Sequence, residues 1–455
     1  MSVVSIKIKN FKSIKEAEVI FKSNLSAIYG PNGTGKTAVI EALEIIRNYY
    51  ISYYEKTLSA KVKEKILQYM RKGENTLEIE VVFHIEGILY KLVVEFKKNK
   101  EGNSLYVSKE ELLSVPLETK TLYAKQKKVY KSIAKVKNDE ETILPELYLY
   151  DKKAINIVEK EILSKNDLSQ KDLFLEYNNF YSYLALILKY SKYSKTEITN
   201  SNLQKFIKIF EIIENTLIRI VVITLKEQAL YNLDILIPLN IHTEKICGTL
   251  MVNYKREGNI YSEKEANELE KVISQVNNIF SIIVPNSKLI IYKKIENIGK
   301  NENKIGINIF VKKDGQEIPL ELESTGIKKL VSILSMMIYF IQNPGAIVAI
   351  DEFDIHIFEY LLAILLDKLS TYAKGQLIFT AHNLFPMEVL TKNSIIISTK
   401  NENNDVIYTY LEKTSKTTNL RQKYIKSQVM WSEENISPLL LNESALNSFI
   451  RELTI

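Results

Sequence analysis

Cysteine is nearly absent from this 455-residue sequence. Cys247 stands alone, so neither an intrachain disulfide nor a thiolate metal site can form. Histidine is scarce as well, with four residues, which argues against a zinc centre. Long hydrophobic runs are missing. The longest uncharged apolar stretches, near Leu330–Ile341 and Gly345–Ile350, fall short of the roughly 18 residues a membrane helix needs, and Pro344 interrupts the ground between them. The opening MSVVSIKIKNFKSIKEAEVIF alternates charged and apolar residues without a continuous apolar core, so no secretory signal is expected. The expectation is a cytoplasmic protein with no membrane partner. There is no sustained heptad series, which a long coiled-coil arm would require, and no internal repeat. Charge of one sign is not in great excess either. A formal +6 neither demands nor excludes nucleic acid, because local patches decide that.

What is present describes a globular chain with a real core: 46% hydrophobic and 25% charged residues. Period-two alternation over 3–10 and 16–22 predicts the first hairpin of a sheet. A buried strand at Leu25–Tyr29 leads into a glycine-rich turn and a helix from about Lys36 to Tyr50. Leu77–Phe83 and Leu89–Phe96 read as a hairpin turning at Glu86-Gly87, and 105–130 as further short strands. From about Asp151 to Leu225 the pattern is helical. Strands are expected at 228–258 and 288–312, around a helix at Ser262–Ile283. The last third alternates helices at 325–341 and 356–371 with strands at 346–350, 376–380 and 394–398, as a parallel α/β sheet does. The polar stretches 300–304 and 400–405 read as exposed turns.

Gly30-Pro31-Asn32-Gly33-Thr34-Gly35-Lys36-Thr37 matches G-x-x-x-x-G-K-[ST] between a strand and a helix. In such a loop backbone N–H groups close around phosphate oxygens, helped by the positive end of the helix. Lys36 is expected to reach the β- and γ-phosphates of ATP, and Thr37 to ligate Mg²⁺. A phosphate loop needs a second carboxylate on a neighbouring strand, and Ile347-Val348-Ala349-Ile350-Asp351-Glu352 supplies it. Asp351 would hold the metal through its water shell, and Glu352 would take the proton of the attacking water. Alternatively, the two acids merely open a helix. His382 follows the strand Leu377–Thr380 and would point into the ligand crevice at its carboxyl end, whereas His84 and His242 read as surface-loop histidines. His356, just after Asp354, reads as a cap or as part of a dimer surface. Ser324 and Gly326 lie at the start of a basic, apolar helix, either as an anion cradle or as an ordinary N-cap.

The order of these motifs is similar to that of ABC-type ATPase heads of the SMC/RecF-like branch. Within it, IKNFKSIKEAEV, YGPNGTGKT, IPLELESTGIKKLVSIL, IDEFDIHIFEYLLAILL and GQLIFTAHNLFPMEVL resemble prokaryotic AAA/ABC ATP-binding proteins related to the ATPase half of the overcoming-lysogenization-defect family. The resemblance covers the first hundred residues and about 315–400, and the middle loosely. It implies that Ser324 and Gly326 bind the γ-phosphate of an opposite subunit. It also implies that Asp354 contacts the dimer partner and that His382 is the switch histidine. The signature reads Glu-Ser-Thr-Gly-Ile where transporters have Leu-Ser-Gly-Gly-Gln. A Q-loop glutamine is not assignable, with Gln126 and Gln170 both weak candidates.

Lys36 and Asp351 lie about 315 residues apart, far more than a compact transporter head uses. The fold expected is therefore an α/β ABC-type P-loop head assembled from both chain ends. Its lobes would be 1–138 and 301–455, with a mixed helical and strand insert at 139–300. A lysine run over Thr119–Lys137, with Tyr123 and Tyr130 interleaved and no acid, suits a nucleic-acid backbone or a plain solvated face. The favoured function is an ATP-hydrolysing switch in anti-phage defence, working as a homodimer or higher even oligomer. No nuclease carboxylate cluster is recognisable after residue 400, so a separate effector protein would carry the killing activity. The alternative is a RecF/SMC-like ATPase of DNA repair or maintenance that clamps DNA.

Overall fold

Apolar strands from opposite ends of the chain meet in one sheet. The computed structural model describes residues 1–54, 56–102, 104–116, 130–138, 145–178, 180–194, 197–224, 237–242, 247–252, 260–297, 303–411, 419–429 and 436. From the amino end, β1 (Ser2–Phe11) and β2 (Ile14–Ile20) form a hairpin, and β3 (Leu25–Tyr29) leads through the glycine-rich turn to α1 (Lys36–Ile51) and α2 (Lys56–Tyr69). Next come β4 (Thr76–Ile85), β5 (Ile88–Lys98), β6 (Leu105–Pro116), β7 (Lys131–Lys137), β8 (Glu146–Leu149) and β9 (Lys152–Lys153). They extend the first hairpin into an eight-stranded sheet ordered β2-β1-β4-β5-β6-β7-β8-β9. Helices α3 (Ile155–Val158), α4 (Gln170–Asn178), α5 (Tyr183–Tyr193) and α6 (Ser201–Ile218) lead to β10 (Ile220–Ile223). The hairpin β11 (Ile237–His242) and β12 (Cys247–Val252) precedes a small sheet of β13 (Ile260–Tyr261), β14 (Ser287–Asn297), β15 (Asn303–Lys313) and β16 (Gln316–Pro319). Between β13 and β14 runs α7 (Glu263–Ile283), which Ser262 opens with a capping box to Glu265. The chain closes with α8 (Thr325–Gln342), β17 (Ile347–Ile350), α9 (Glu359–Tyr372), β18 (Gln376–Thr380), β19 (Ile395–Lys400), β20 (Val406–Tyr410) and α10 (Leu420–Val429).

The central sheet has the order β10-β17-β18-β3-β19-β20. All its pairings are parallel except β19 with β20. β3, β17 and β18 are buried along their whole length, as strands covered on both faces must be. Alternate residues divide between two cores, because successive side chains of a strand point to opposite faces. Ile28, Ile347, Ala349, Ile378 and Ile396 join α1, α6 and the eight-stranded sheet in one core. Ala27, Tyr29, Val348, Ile350, Leu377 and Phe379 join α7, α8 and α9 in the other. Gln376 couples the two sheets: its side chain accepts from the Val3 N–H at 2.7 Å and donates to the Val3 carbonyl at 2.9 Å.

Several expectations are corrected. The boundary at 138/139 falls inside the eight-stranded sheet, between β7 and β8. That at 300/301 falls between the paired strands β14 and β15. Residues 220–223, placed in the insert, are a strand of the central sheet beside β17, and α5 and α6 pack into the same core as α1. The helical periodicity of 151–225 concealed this strand because IVVI is too short to break it. Strand β6 runs unbroken where several short strands were expected. The helix expected from 356 starts at Glu359 after a series of turns. His84 and His242 lie in β4 and at the end of β11 rather than in loops. Among the described residues, no helix is long and apolar enough to cross a membrane.

One buried carboxylate fastens the helices to the eight-stranded sheet. Glu110 on β6 is fully buried. Its Oε1 accepts from the Tyr49 hydroxyl at 2.9 Å and the Tyr183 N–H at 2.8 Å, and its Oε2 accepts from Ser182 at 2.7 Å. Burial holds its carboxyl above the ordinary value of 4.5. The folded state thus binds this proton more tightly than the unfolded chain, and stability is lost as pH rises through the folded value. Glu110→Gln can keep both Oε1 bonds and donate to Ser182, so urea unfolding should find it within about 1 kcal/mol of the parent at acid pH and gaining on it toward neutrality. Glu110→Ala strands three donors and should lose roughly 3 kcal/mol or more. Equal stability of the Ala variant would show that this cluster does not hold the sheet.

Candidate active site

β3 ends in mid-sheet, and the chain turns sharply through residues 30–35. The turn needs glycine at Gly30, where a Cβ would lie 2.2 Å from the Ser398 carbonyl oxygen. It needs it again at Gly35, the residue before α1, where φ is +91°. Thr34 donates to the Pro31 carbonyl at 2.8 Å. Two side chains brace the turn from outside, the Ser398 hydroxyl donating to the Thr34 carbonyl and the Tyr408 hydroxyl donating to the Gly35 carbonyl at 2.8 Å. Sequence reading missed both. The alternation of Val406–Tyr410 was the available signal for the strand that carries Tyr408.

Asn32 and Gly33 are exposed at the tip of the loop. Lys36 is buried, and its Nζ donates to the carbonyls of Gly30 at 2.7 Å and Pro31 at 3.2 Å. Burial pulls its pKa down, opposed by the nearby Asp351, Glu352 and Asp354 carboxylates. Thr37 donates to Asp351 Oδ1 at 3.1 Å, and Thr380 on β18 donates to the same oxygen at 2.6 Å. Asp351 is fully buried, which raises its carboxyl pKa against the lowering effect of these two hydroxyls. Thr380 also accepts from the Glu352 N–H at 2.7 Å.

Glu352 sits in the left-handed region, with φ +49°, a conformation that costs about 1–2 kcal/mol for a residue with a Cβ. The bond from Thr380 holds it on one side. On the other, Lys329 Nζ donates to the Glu352 carbonyl at 3.0 Å. Lys329 lies on the second turn of α8, and burial draws its pKa down to about 8. The Glu352 carboxyl is raised, by burial first and then by Asp351. His382 Nε2 stands 3.9 Å from Glu352 Oε1 with its side chain 45% exposed. Lys329 escaped sequence reading because a lysine at a helix start ordinarily looks like surface.

Asp354, expected at a dimer surface, is only 8% exposed. Its Oδ2 accepts from the backbone N–H groups of His382 at 2.8 Å and Asn383 at 2.5 Å. A carboxylate needs such donors once buried, so Asp354 holds the turn that presents His382. Ser324 is exposed and caps α8, its Oγ accepting from the Ile327 N–H at 3.3 Å. A Cβ on Gly326 would stand 3.0 Å from the His356 carbonyl. Within one chain, then, the ordinary cap is the geometry seen. Gln126, Lys120, Lys125, Lys127 and Lys128 lie outside the described residues. Gln170 donates to Glu159 at 2.5 Å, Lys135 pairs with Glu111, and Lys137 lies 6.0 Å above the Tyr148 ring.

Among the described residues, no group of three or more His, Cys, Asp or Glu could hold a metal by itself. A hydroxyl and one buried carboxylate meeting at 3.1 Å do fit Mg²⁺, which takes few protein oxygens and completes its shell with water and substrate phosphate.

Residues 1–385 match the AAA ATPase domain family, and the chain belongs to that family. It is similar to the DNA double-strand break repair Rad50 ATPase of Thermoplasma acidophilum, 27% identical over 135 residues that cover 29% of this chain and 14% of that protein. It is also similar to the DNA replication and repair protein RecF of Chlamydia abortus, 33% identical over 92 residues, 20% of this chain and 23% of that one. The chain thus spans less than a quarter of either relative. Among solved structures, the SMC head domain from Thermotoga maritima aligns with 90% of this chain and 100% of its own at 16% identity, with a TM-score of 0.39.

The contact between Gly30 and Ser398 can be tested without nucleotide. Gly30→Ala must displace a backbone carbonyl, and thermal unfolding should show a loss of roughly 2–4 kcal/mol. Gly33→Ala meets nothing within 4 Å, and its positive φ should cost only about 1 kcal/mol. Equal melting temperatures for the two variants would remove β19 as the wall of the loop.

Proposed function

We propose that this ATPase hydrolyses ATP at a site completed by a second copy of the chain, and that the nucleotide state governs its grip on DNA in repair or maintenance. The observation that carries the hydrolytic reading is the meeting of Lys36, Thr37, Asp351 and Glu352 around one turn, with Thr380 tying the two acids together. The N–H groups of the loop from Gly30 to Gly35 would surround the phosphates. The Lys36 ammonium would exchange its two loop carbonyls for phosphate oxygens. Thr37 and Asp351 would hold Mg²⁺, which when bound supplies charge neutralisation at the phosphates. Glu352 would accept the proton of the attacking water. Its raised carboxyl brings it closer to the working pH, as general-base catalysis favours. His382, presented by Asp354, would orient that water or the γ-phosphate.

Ser324 and Gly326 start an exposed helix end whose N–H groups suit a phosphate from outside the chain, which supports a homodimer or higher even oligomer. The DNA reading is favoured over the anti-phage switch because the curated relatives above are named as DNA repair and replication proteins. The anti-phage reading, with its separate effector protein, rests on motif resemblance alone.

Glu352→Gln should bind ATP and lose turnover by roughly 10²-fold or more. It should also accumulate as an ATP-dependent dimer in light scattering and hold duplex DNA with steeply salt-dependent affinity. Unchanged steady-state turnover removes Glu352 from the mechanism. A trapped dimer that ignores DNA at every salt concentration leaves a protein effector as the reader of the ATP state.

Shared sites make a second expectation. Lys36→Ala and Ser324→Arg chains, each inactive alone, place both lesions in one site of a mixed dimer and neither in the other, so mixing should return part of the activity. If mixed dimers form and restore nothing at any ratio, the two-chain site is wrong.

A further inference from the structure

Lysine is an awkward residue to bury near the amino end of a helix. Burial penalises its charge, and the positive end of the helix dipole repels it. Lys329 nevertheless lies in the second turn of α8 and is only 2% exposed. An apolar side chain of similar length would fill the same space without either cost. What the ammonium adds is a donor: it reaches the turn after β17 and meets the Glu352 carbonyl at 3.0 Å. The Asp354 and Glu352 carboxylates offset part of the penalty of burying it.

That turn needs holding. Glu352 is left-handed at φ +49°, and so is His356 at φ +63°, conformations that residues with a Cβ keep only where their surroundings impose them. The bond that the turn itself makes to the Glu352 carbonyl, from the Ile355 N–H, is long at 3.3 Å. Thr380 secures the N–H side of Glu352 at 2.7 Å. On the carbonyl side, the bond from Lys329 is the shorter of these two. α8 also bears on the turn at a second point, since a Cβ on Gly326 would stand 3.0 Å from the His356 carbonyl. Gly326 and Lys329 are three residues apart and so share one face of the helix. A single helix face therefore meets both left-handed residues of the turn, each at its carbonyl.

The backbone of Glu352 decides where its carboxylate stands relative to Lys36, whose ammonium it already influences. A reacting group displaced by about 1 Å can lose on the order of 10²-fold in rate. We propose that Lys329 is a positioning residue for hydrolysis, fixing the Glu352 backbone so that the carboxylate stands where the attacking water can give up its proton. This rests on the general-base role proposed for Glu352 above. Lys329 acts through a backbone carbonyl and has no need to meet the nucleotide.

The experiment uses the full chain. Lys329→Met keeps the length of the side chain and removes the donor. Turnover at saturating ATP should fall roughly ten- to hundredfold. KM for ATP should stay within about twofold of the parent, the pattern of an interaction that matters only in the transition state. Calorimetry in the Glu352→Gln chain should give the same ATP affinity with Lys329→Met added as without it. The two substitutions should not compound. The double variant should turn over no more slowly than Glu352→Gln alone, because the tether has no base left to position. Amide exchange should quicken over residues 352–358 while α8 keeps the protection it has in the parent. Parental turnover in Lys329→Met overturns the inference, and so do losses that multiply in the double variant. A variant that melts lower and loses ATP affinity marks a structural lysine and overturns it too. The hydrolytic reading fails separately, by unchanged turnover in Glu352→Gln.

Discussion

One carboxylate oxygen organises the centre of this molecule. Asp351 Oδ1 accepts hydroxyls from Thr37 on α1 and Thr380 on β18, joining the helix that leaves the phosphate loop to two strands of the carboxyl-terminal third. A buried carboxylate tolerates its environment only when donors surround it. The two threonines therefore fix both the carboxylate and the place of α1 against β17 and β18. Thr380 then passes the constraint on, because its oxygen also receives the Glu352 N–H. The geometry of Glu352 depends on the same short chain of hydrogen bonds as Thr37 and Asp351.

Around that centre, backbone strain and buried charge are distributed with some economy. Glu352 occupies a left-handed conformation and is held there from both sides, by Thr380 and by Lys329. Lys329 belongs to the helix that Ser324 caps, so that helix cannot shift along its axis without disturbing the backbone of Glu352. Asp354 does for His382 what Thr380 does for Glu352, taking two successive N–H groups of its turn. Side chains from β18, α8 and the loop after β17 thus position one another, and few of them depend on solvent-exposed contacts that salt or pH would weaken.

Much of this was legible in the sequence because the responsible signals are local. Strand, loop and helix around Lys36 follow from spacing alone, and the four apolar residues before Asp351 mark a buried strand. The eight-stranded sheet was visible as far as β5 for the same reason, since alternation and the Glu86-Gly87 turn are short-range features. What escaped depends on distant partners. β10 looks helical in its neighbourhood and becomes a strand only because β17 offers it an edge. Ser398 and Tyr408 carry no motif, and their roles arise from where β19 and β20 fall relative to the loop. Asp354 was assigned outward by resemblance, whereas the donors of two neighbouring N–H groups turn it inward. Lys329 shows the limit of reading charge as surface, since its burial is decided by the packing of α8 against the loop that follows β17.

The place of β3 in the central sheet has a consequence for how the protein comes into being. Its only strand neighbours among the described residues are β18 and β19, both made from residues after position 375. A ribosome adds roughly 5–20 residues per second, so Leu25–Tyr29 emerges with both edges open and waits on the order of 20–70 s for the first strand that can cover it. During that interval the phosphate loop also lacks Ser398, the wall that shapes it at Gly30. The nascent chain therefore carries an unpaired apolar strand throughout the synthesis of the residues between β3 and β18, a standing invitation to wrong pairings. Only once β19 has been made can the turn at Gly30 take the shape that the Ser398 carbonyl imposes on it.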